Sequence, residues 1–490
     1  MKKKNMGINA ILNVIKSGLS VLFPLITYPY ALRVIGIEGI GKVTYGNSIL
    51  SYFSLLAALG ISTYAVREGA KKKHKKDELN KFVNEVFTIN ICTTILTYIS
   101  LIVILVSVGK LADYRKLILL QSASIILTTI GMDWINTIYE DFFLITVRSI
   151  ITHIVSMILL FIFVRTPEDY YIYAFLSVLT NGIVCISNIF YIRKYVKPQI
   201  TLHPNFKEHM KPLLLMFSNT LAISVYVNFD TTMLGWLKGD YAVGLYAVAV
   251  KIYTIIKQMM QAIYVVAIPR LASYIGRKDE RQYKNVYTKL WEYLSLILIP
   301  SGIGLMCISQ EVIIFMGGKE FVQASLSLQI LSLSLIFAIY GGLVTAVLNI
   351  TLGREKDNLV ATVWSAIINC GLNFVFIPLF SQNGAAITTL ISEIFVFVFC
   401  LVRIPEKRKY MDYSLIRRSI RDSLFGGIGI IACTVIVKRF IINLYIRSGI
   451  IILTSVVAYS SIVLILKNPS AIMCLDICRK KIKNLTGRKV

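Results

Sequence analysis

Several charged side chains of this sequence fall where hydrocarbon is expected. Lys16, Lys251 and Glu393 each lie about 13 to 15 Å along an apolar stretch at helical rise, close to the middle of a bilayer core about 30 Å thick. A charge at that depth costs at least about 2.5 kcal/mol, so it implies a task or a partner. An ammonium group there suits an anion. A carboxylate suits a proton, a coupling ion or an ion pair. Asp230 and Lys251 occupy consecutive stretches of opposite direction, about 12 and 15 Å from the same end, which predicts a pair. That pair either ties two helices together or is exchanged for phosphate or a proton. Asp133, beside Trp134 and Asn136, reads as a polar contact between helices or as a coupling-ion carboxylate. Arg148 and Lys257 lie nearer the ends of their stretches, within snorkelling reach of the interface. Lys251 and Lys257 are about 240° apart on an ideal helix, so one cavity takes only one of them, and Lys251 is the deeper. His153 reads as a packing imidazole or a relay. Tyr28, Tyr30, Tyr45, Tyr52, Tyr226, Tyr246 and Tyr253 suit either the membrane interface or the faces of sugar rings.

The elements that carry these residues follow from composition. Of 490 residues, 56% are hydrophobic and only 16% charged, against about 25% charged in soluble chains. Apolar windows long enough to cross a bilayer recur about fourteen times. The first two cover residues 8–32 and 43–66, the seventh and eighth 213–237 and 241–266, and the last two 422–437 and 448–466. No room is left for a folded soluble domain. The net charge of +26 points to sidedness rather than to nucleic acid. With both termini inside, most of the Lys and Arg residues fall on the inner tails and loops, as the positive-inside rule requires. The densest clusters, Lys71 to Lys76, Arg403 to Lys409 and Arg479 to Lys489, also favour anionic lipids. The opening MKKKNMGINAILNVIKSG reads as a retained first helix, since it has no small-residue cleavage site.

Other chemistries fail on residues. The eight cysteines lack CxxC or His-paired spacing, so neither disulfides nor zinc are indicated. Gly36 to Val43 nearly fits a phosphate loop, but Val43 stands where a hydroxyl should hold magnesium. No metal or cofactor is expected.

Laid over itself at an offset of 203 residues, the chain puts Gly36 on Gly239 and Gly41 on Gly244. A repeat displaced by six spans enters the membrane in the same direction, which predicts two parallel bundles. Pro24 and Pro29 predict a bend in the first span.

The stretch Pro24-Leu-Ile-Thr-Tyr-Pro-Tyr30, with Leu32-Arg33-Val-Ile-Gly36, Gly39-Ile-Gly41 and Gly60-Ile-Ser-Thr-Tyr-Ala-Val-Arg67-Glu68, resembles the opening of polysaccharide-transport proteins. The likeness continues at Asp230-Thr-Thr-Met-Leu-Gly235, Val243-Gly-Leu-Tyr-Ala-Val-Ala249 and Ile268-Pro269-Arg270-Leu271. Together these resemble the Wzx-type lipid-linked oligosaccharide flippases of the multidrug/oligosaccharidyl-lipid/polysaccharide exporter superfamily. The resemblance implies an all-α polytopic membrane fold of about fourteen helices. Two parallel, MATE-like six-helix bundles would cover residues 1–200 and 201–410, and two further helices with a basic tail 411–490. It implies a flippase, not an enzyme, moving undecaprenyl-diphosphate-linked O-antigen or capsule repeat units from the inner to the outer leaflet of a bacterial cytoplasmic membrane. Transport would be by alternating access, coupled to an ion. Lys16, Lys251, Arg33 and Arg148 would attract the diphosphate, and Asp230, Asp133 and Glu393 are the carboxylates on offer to a coupling ion. Partners would be the lipid-linked oligosaccharide, anionic lipids, and polysaccharide polymerase and chain-length machinery. A drug or peptidoglycan-precursor exporter of the same superfamily is the alternative. A membrane glycosyltransferase or polymerase would need a larger outer loop than the one near residues 310–323.

Overall fold

The computed structural model describes residues 6–476; the side chains of 6–17, 19–21, 142–144, 219, 222, 223, 225 and 226 lie outside the described set. Lys16 and Tyr226 are therefore known only as positions on their helices, and the tail from Arg479 to Lys489 falls outside altogether. The chain is helical throughout, with no strand among the described residues. In order it forms α1 (Met6–Ala58), α2 (Ile61–Lys72), α3 (Lys76–Ser107), α4 (Arg115–Gly131), α5 (Trp134–Ile138), α6 (Phe142–Phe163), α7 (Tyr170–Ile192), α8 (Phe206–Lys238) and α9 (Asp240–Val265). Then follow α10 (Ile268–Gly276), α11 (Glu280–Cys307), α12 (Ser309–Gly317), α13 (Ser325–Gly342), α14 (Glu355–Phe380), α15 (Gln382–Arg403), α16 (Lys407–Tyr410), α17 (Tyr413–Phe440) and α18 (Leu444–Ile465). Two compact units divide within α9: Met1–Ala247 and Val248–Val490.

Twelve candidate membrane spans are present among the described residues. One of them, Leu22–Lys72, is 51 residues long and takes in the end of the first expected span and the whole of the second. The expected seventh, 213–237, lies within α8. Backbone amides in hydrocarbon must be satisfied inside the segment, which is why an apolar chain of this kind has only helices to choose from.

Within α1 the backbone leaves helical geometry at Gly36 (φ 74, ψ −178) rather than at Pro24 or Pro29, both of which stay in the helix. Gly239, which separates α8 from α9, has nearly the same conformation (φ 81, ψ −174). This region of the map is open almost only to glycine. The two repeat positions thus make the same turn for the same reason. Five residues on, the repeat makes a second match. A Cβ on Gly41 would enter the carbonyl oxygen of Asp240, and a Cβ on Gly244 would enter the carbonyl oxygen of Ile37. Residues 37 and 240 are themselves related by the offset of 203, so the two glycine hairpins cross reciprocally, each resting its helix on the other's turn. Tyr114 caps the crossing by donating to Asp240 Oδ1 (2.6 Å).

Part of the connection between α7 and α8 is held by side chains of α3. The N–H groups of Lys197, Gln199 and Thr201 donate to Asn80 Oδ1 (3.4 Å), Asn84 Oδ1 (2.8 Å) and Thr88 Oγ1 (3.0 Å) on α3. Two extended residues advance about 6.6 Å and four helical residues about 6.0 Å, so alternate amides meet successive turns. Beyond them, His209 at the foot of α8 joins Glu85 of α3 (2.9 Å) to Tyr64 of α2 (2.7 Å).

In the second unit α17 and α18 are pinned to α11 and α12 at both ends. Buried Glu311 holds Lys438 (3.2 Å) and Arg447 (3.0 Å). Buried Asp422 takes Arg421 (2.9 Å) and Asn468 (3.0 Å), while Glu292 of α11 takes Ser470 (2.7 Å). Replacing Glu311 by Gln leaves two cations facing a neutral amide. The expected cost is about 3 kcal/mol or more, as for a broken buried pair, measured as thermal unfolding in detergent, and an unchanged midpoint refutes the assignment.

Candidate functional site

In the first unit the charged centre is built at a helix break. α4 ends at Gly131, where a Cβ would press on Cys185 Sγ (2.8 Å), so α4 and α7 approach closely enough for Asn188 Nδ2 to donate to Gly131 O (2.5 Å). Met132 then adopts a left-handed conformation (φ 45, ψ 45) and turns the chain into α5, with Asp133 at the corner. Arg148 reaches this corner from α6. It donates to Asp133 Oδ1 (3.0 Å) and to Asn188 Oδ1 (2.8 Å), an oxygen shared with Asn136 Nδ2 (2.6 Å). The guanidinium side chain is 8% exposed and its carboxylate 52%. Asp133 opens on a cavity of about 220 Å³ whose wall includes Ser54, Asn90, Thr128, Thr129 and Asn181. Its chemistry is that of a polar, hydrogen-bonding hollow with one carboxylate at its edge.

In the second unit the charged centre joins α9 to α15. Tyr253 and Lys257 are four apart and share a helix face. Lys257 Nζ donates to Glu393 Oε1 (2.7 Å) and to the Tyr253 hydroxyl (3.2 Å), and that hydroxyl donates to Glu393 Oε1 (3.3 Å). Glu393 and Tyr253 are both 7% exposed. Nearby on the same hairpin, Thr388 of α15 donates to Asn373 of α14 (2.6 Å), which donates to Asn369 (3.2 Å).

The remaining sequence candidates lie as follows. Lys251 is partly buried on α9, and Arg33 is exposed near the end of the first arm of α1. Asp230 is buried and accepts from the Tyr246 hydroxyl (3.1 Å). His153 stacks on Phe23 at 5.0 Å between ring centres, and Lys42 lies over the Tyr170 ring. Arg148 and Lys257, expected within snorkelling reach of the interface, are paired with Asp133 and Glu393. Two polar centres carry no sequence signal at all. One is the His209 junction. The other is buried Asp141, which receives Tyr191, Tyr195 (2.5 Å) and Lys194 (2.9 Å). There burial and the Asp141 carboxylate push the Tyr195 phenol above its ordinary range.

Twelve apolar spans with charged pairs inside both units define a multi-pass helical membrane protein of the MATE-like class. The backbone superposes on an inward-closed structure of the lipid II flippase MurJ with a TM-score of 0.72 at 18% identity, over 96% of this chain and 99% of that one. A family model described as "Polysaccharide biosynthesis protein" matches residues 4–275, more than half of the sequence, and the chain belongs to that family. A second model, MatE, matches residues 215–375. Among curated relatives, a "Putative O-antigen transporter" of Escherichia coli (strain K12) is 24% identical over 79% of this chain and 94% of its own. A "Probable low-salt glycan biosynthesis flippase Agl15" of Haloferax volcanii is 27% identical over 34% of this chain and 35% of its own. The resemblance to Wzx-type flippases read from the glycine and proline motifs is borne out.

Proposed function

We propose that this protein is a flippase that carries a lipid-linked oligosaccharide from the inner to the outer leaflet of a bacterial cytoplasmic membrane, as a transporter and not an enzyme. Its relatives' names support that reading, and one geometric observation carries the mechanism. Each unit keeps a cation on a carboxylate inside its spans, Arg148 on Asp133 and Lys257 on Glu393. A polyprenyl tail can remain in lipid, whereas its diphosphate needs cations at every depth it crosses. Diphosphate and carboxylate compete for the same guanidinium or ammonium group, and a carboxylate relieved of its cation is stabilised by a proton or a metal cation. Loading of the anion and uptake of the coupling ion are then two halves of one exchange. Lys16, Lys251 and Arg33 supply further positive charge along the route, and Asp230 a further carboxylate. Alternating access moves the halves around the bound head group. Both termini face the cytoplasm, where polysaccharide polymerase and chain-length proteins would meet the pathway.

Fluorescent lipid-linked oligosaccharide in proteoliposomes tests this reading. Arg148→Ala and Lys251→Ala, like Lys16→Ala, each remove a charge-assisted contact worth about 1.5 to 3 kcal/mol. The expected fall in the transfer rate is about 10- to 150-fold, with unchanged elution on size exclusion. Wild-type rates in all three variants would falsify the anion route.

A further inference from the structure

Basic residues at the inner end of the second unit are not equivalent. Of the seven between residues 403 and 421, four are neutralised: Arg403 on Asp357 (3.5 Å), Lys409 on Glu280 (2.7 Å), Arg418 and Arg421 on Asp422 (3.8 and 2.9 Å). Among the described residues, Lys407, Arg408 and Arg417 have no carboxylate partner. These three border one place. Lys407 and Arg408 line a hollow that also includes Ile404 and Tyr413. Tyr413 is shared with an apolar groove of about 250 Å³, walled by Trp291 of α11, Phe397 and Leu401 of α15, and Met411, Ile416 and Ile420 near the start of α17. Arg417 is the one charged residue on that wall.

From Tyr413 to Ile420 the groove follows α17 for about 10 Å at helical rise. A basic rim over an apolar slot of that length matches the phosphate and upper acyl segment of a phospholipid. Snorkelling alone would leave the rim cations solvated and give the slot no purpose. With their neighbours along the chain paired, these three carry the unpaired charge of the segment to the rim of the slot, where it can select a head group.

We infer that this groove is a binding site for one anionic glycerophospholipid of the inner leaflet, its phosphate on Lys407, Arg408 and Arg417 and one acyl chain between α11, α15 and α17. The inference is independent of the transported cargo. A net negative head group is preferred over a zwitterionic one because the rim sets three unpaired cations against the one carboxylate of Glu406. Glu406, which also lines the hollow, is drawn 3.9 Å from Lys409.

Native mass spectrometry of the full chain, stripped of lipid and titrated with phosphatidylglycerol or phosphatidylethanolamine of identical chains, tests the site. The expected result is one phosphatidylglycerol bound at least about tenfold more tightly than phosphatidylethanolamine. The triple variant Lys407→Ala, Arg408→Ala, Arg417→Ala brings that ratio to about one, while Ile416→Trp, which fills the slot, weakens both lipids. Equal binding of the two lipids by the wild type overturns the inference, as does a triple variant that keeps the preference. Displacement of phosphatidylglycerol by an equimolar polyprenyl phosphate overturns the choice of occupant.

Discussion

Lys257→Ala and Glu393→Gln are expected to lose both stability and transport, whereas the paired replacement Lys257→Met with Glu393→Met recovers the first and not the second. The reason lies in how the pair is held. Glu393 is almost wholly buried, and Lys257 and Tyr253 supply its contacts on Oε1. Removing one partner leaves a charge in a medium that cannot solvate it, at about 3 to 5 kcal/mol. Removing both and filling the space with apolar side chains of similar volume is often neutral. Thermal unfolding in detergent should therefore place the double variant near the wild type and both single variants well below it. Transport separates the two meanings of the pair. If the ion pair is exchanged for diphosphate and a coupling ion, the double variant stays inactive in proteoliposomes despite its restored fold. Wild-type transport by the double variant would reduce the pair to a structural tie.

Gly41→Ala and Gly244→Ala should be the most damaging single-methyl additions in the first unit. Each new Cβ meets a backbone carbonyl rather than a side chain that can swing away, so the crossing must open. Overpacking of this kind costs about 1 to 3 kcal/mol, and the upper end is expected because the obstacle is main chain. Gly36→Ala is a useful contrast. Nothing lies within 4 Å of its Cβ, and only its backbone conformation resists the change, at about 1 to 3 kcal/mol. Because the two crossing glycines relieve the same approach, opening the crossing once makes the second alanine cheap. The double variant should then lose clearly less than the sum of the single losses, a coupling that unfolding midpoints resolve. Strict additivity would mean that the two contacts are independent.

The helices and the repeat were legible because each rests on local necessity. Apolar length dictates a spanning helix, and the conformation at Gly36 and Gly239 demands glycine. Asp133 and Glu393 were also legible as carboxylates at membrane depth, since such residues are costly wherever they occur. Their partners were not. Depth alone assigned Lys257 to the interface, but what fixes it is Glu393, 136 residues away in sequence. Arg148 likewise depends on Asn188, 40 residues on, which no spacing rule connects to it. The break at Gly36 was not read beforehand, because the prolines were the only breakers weighed in the first span whereas this turn needs a backbone region closed to other residues.

The amides of Lys197, Gln199 and Thr201 meet α3 on every second residue. Adding or deleting a single residue ahead of them moves Pro198, which has no N–H, onto one of the three sites, and that bond is lost. A change of two residues shifts the register by one helical turn and finds Asn80, Asn84 and Thr88 again, less one. The link between α7 and α8 thus favours changes of two residues over changes of one, and its permissible lengths in evolution or engineering follow parity.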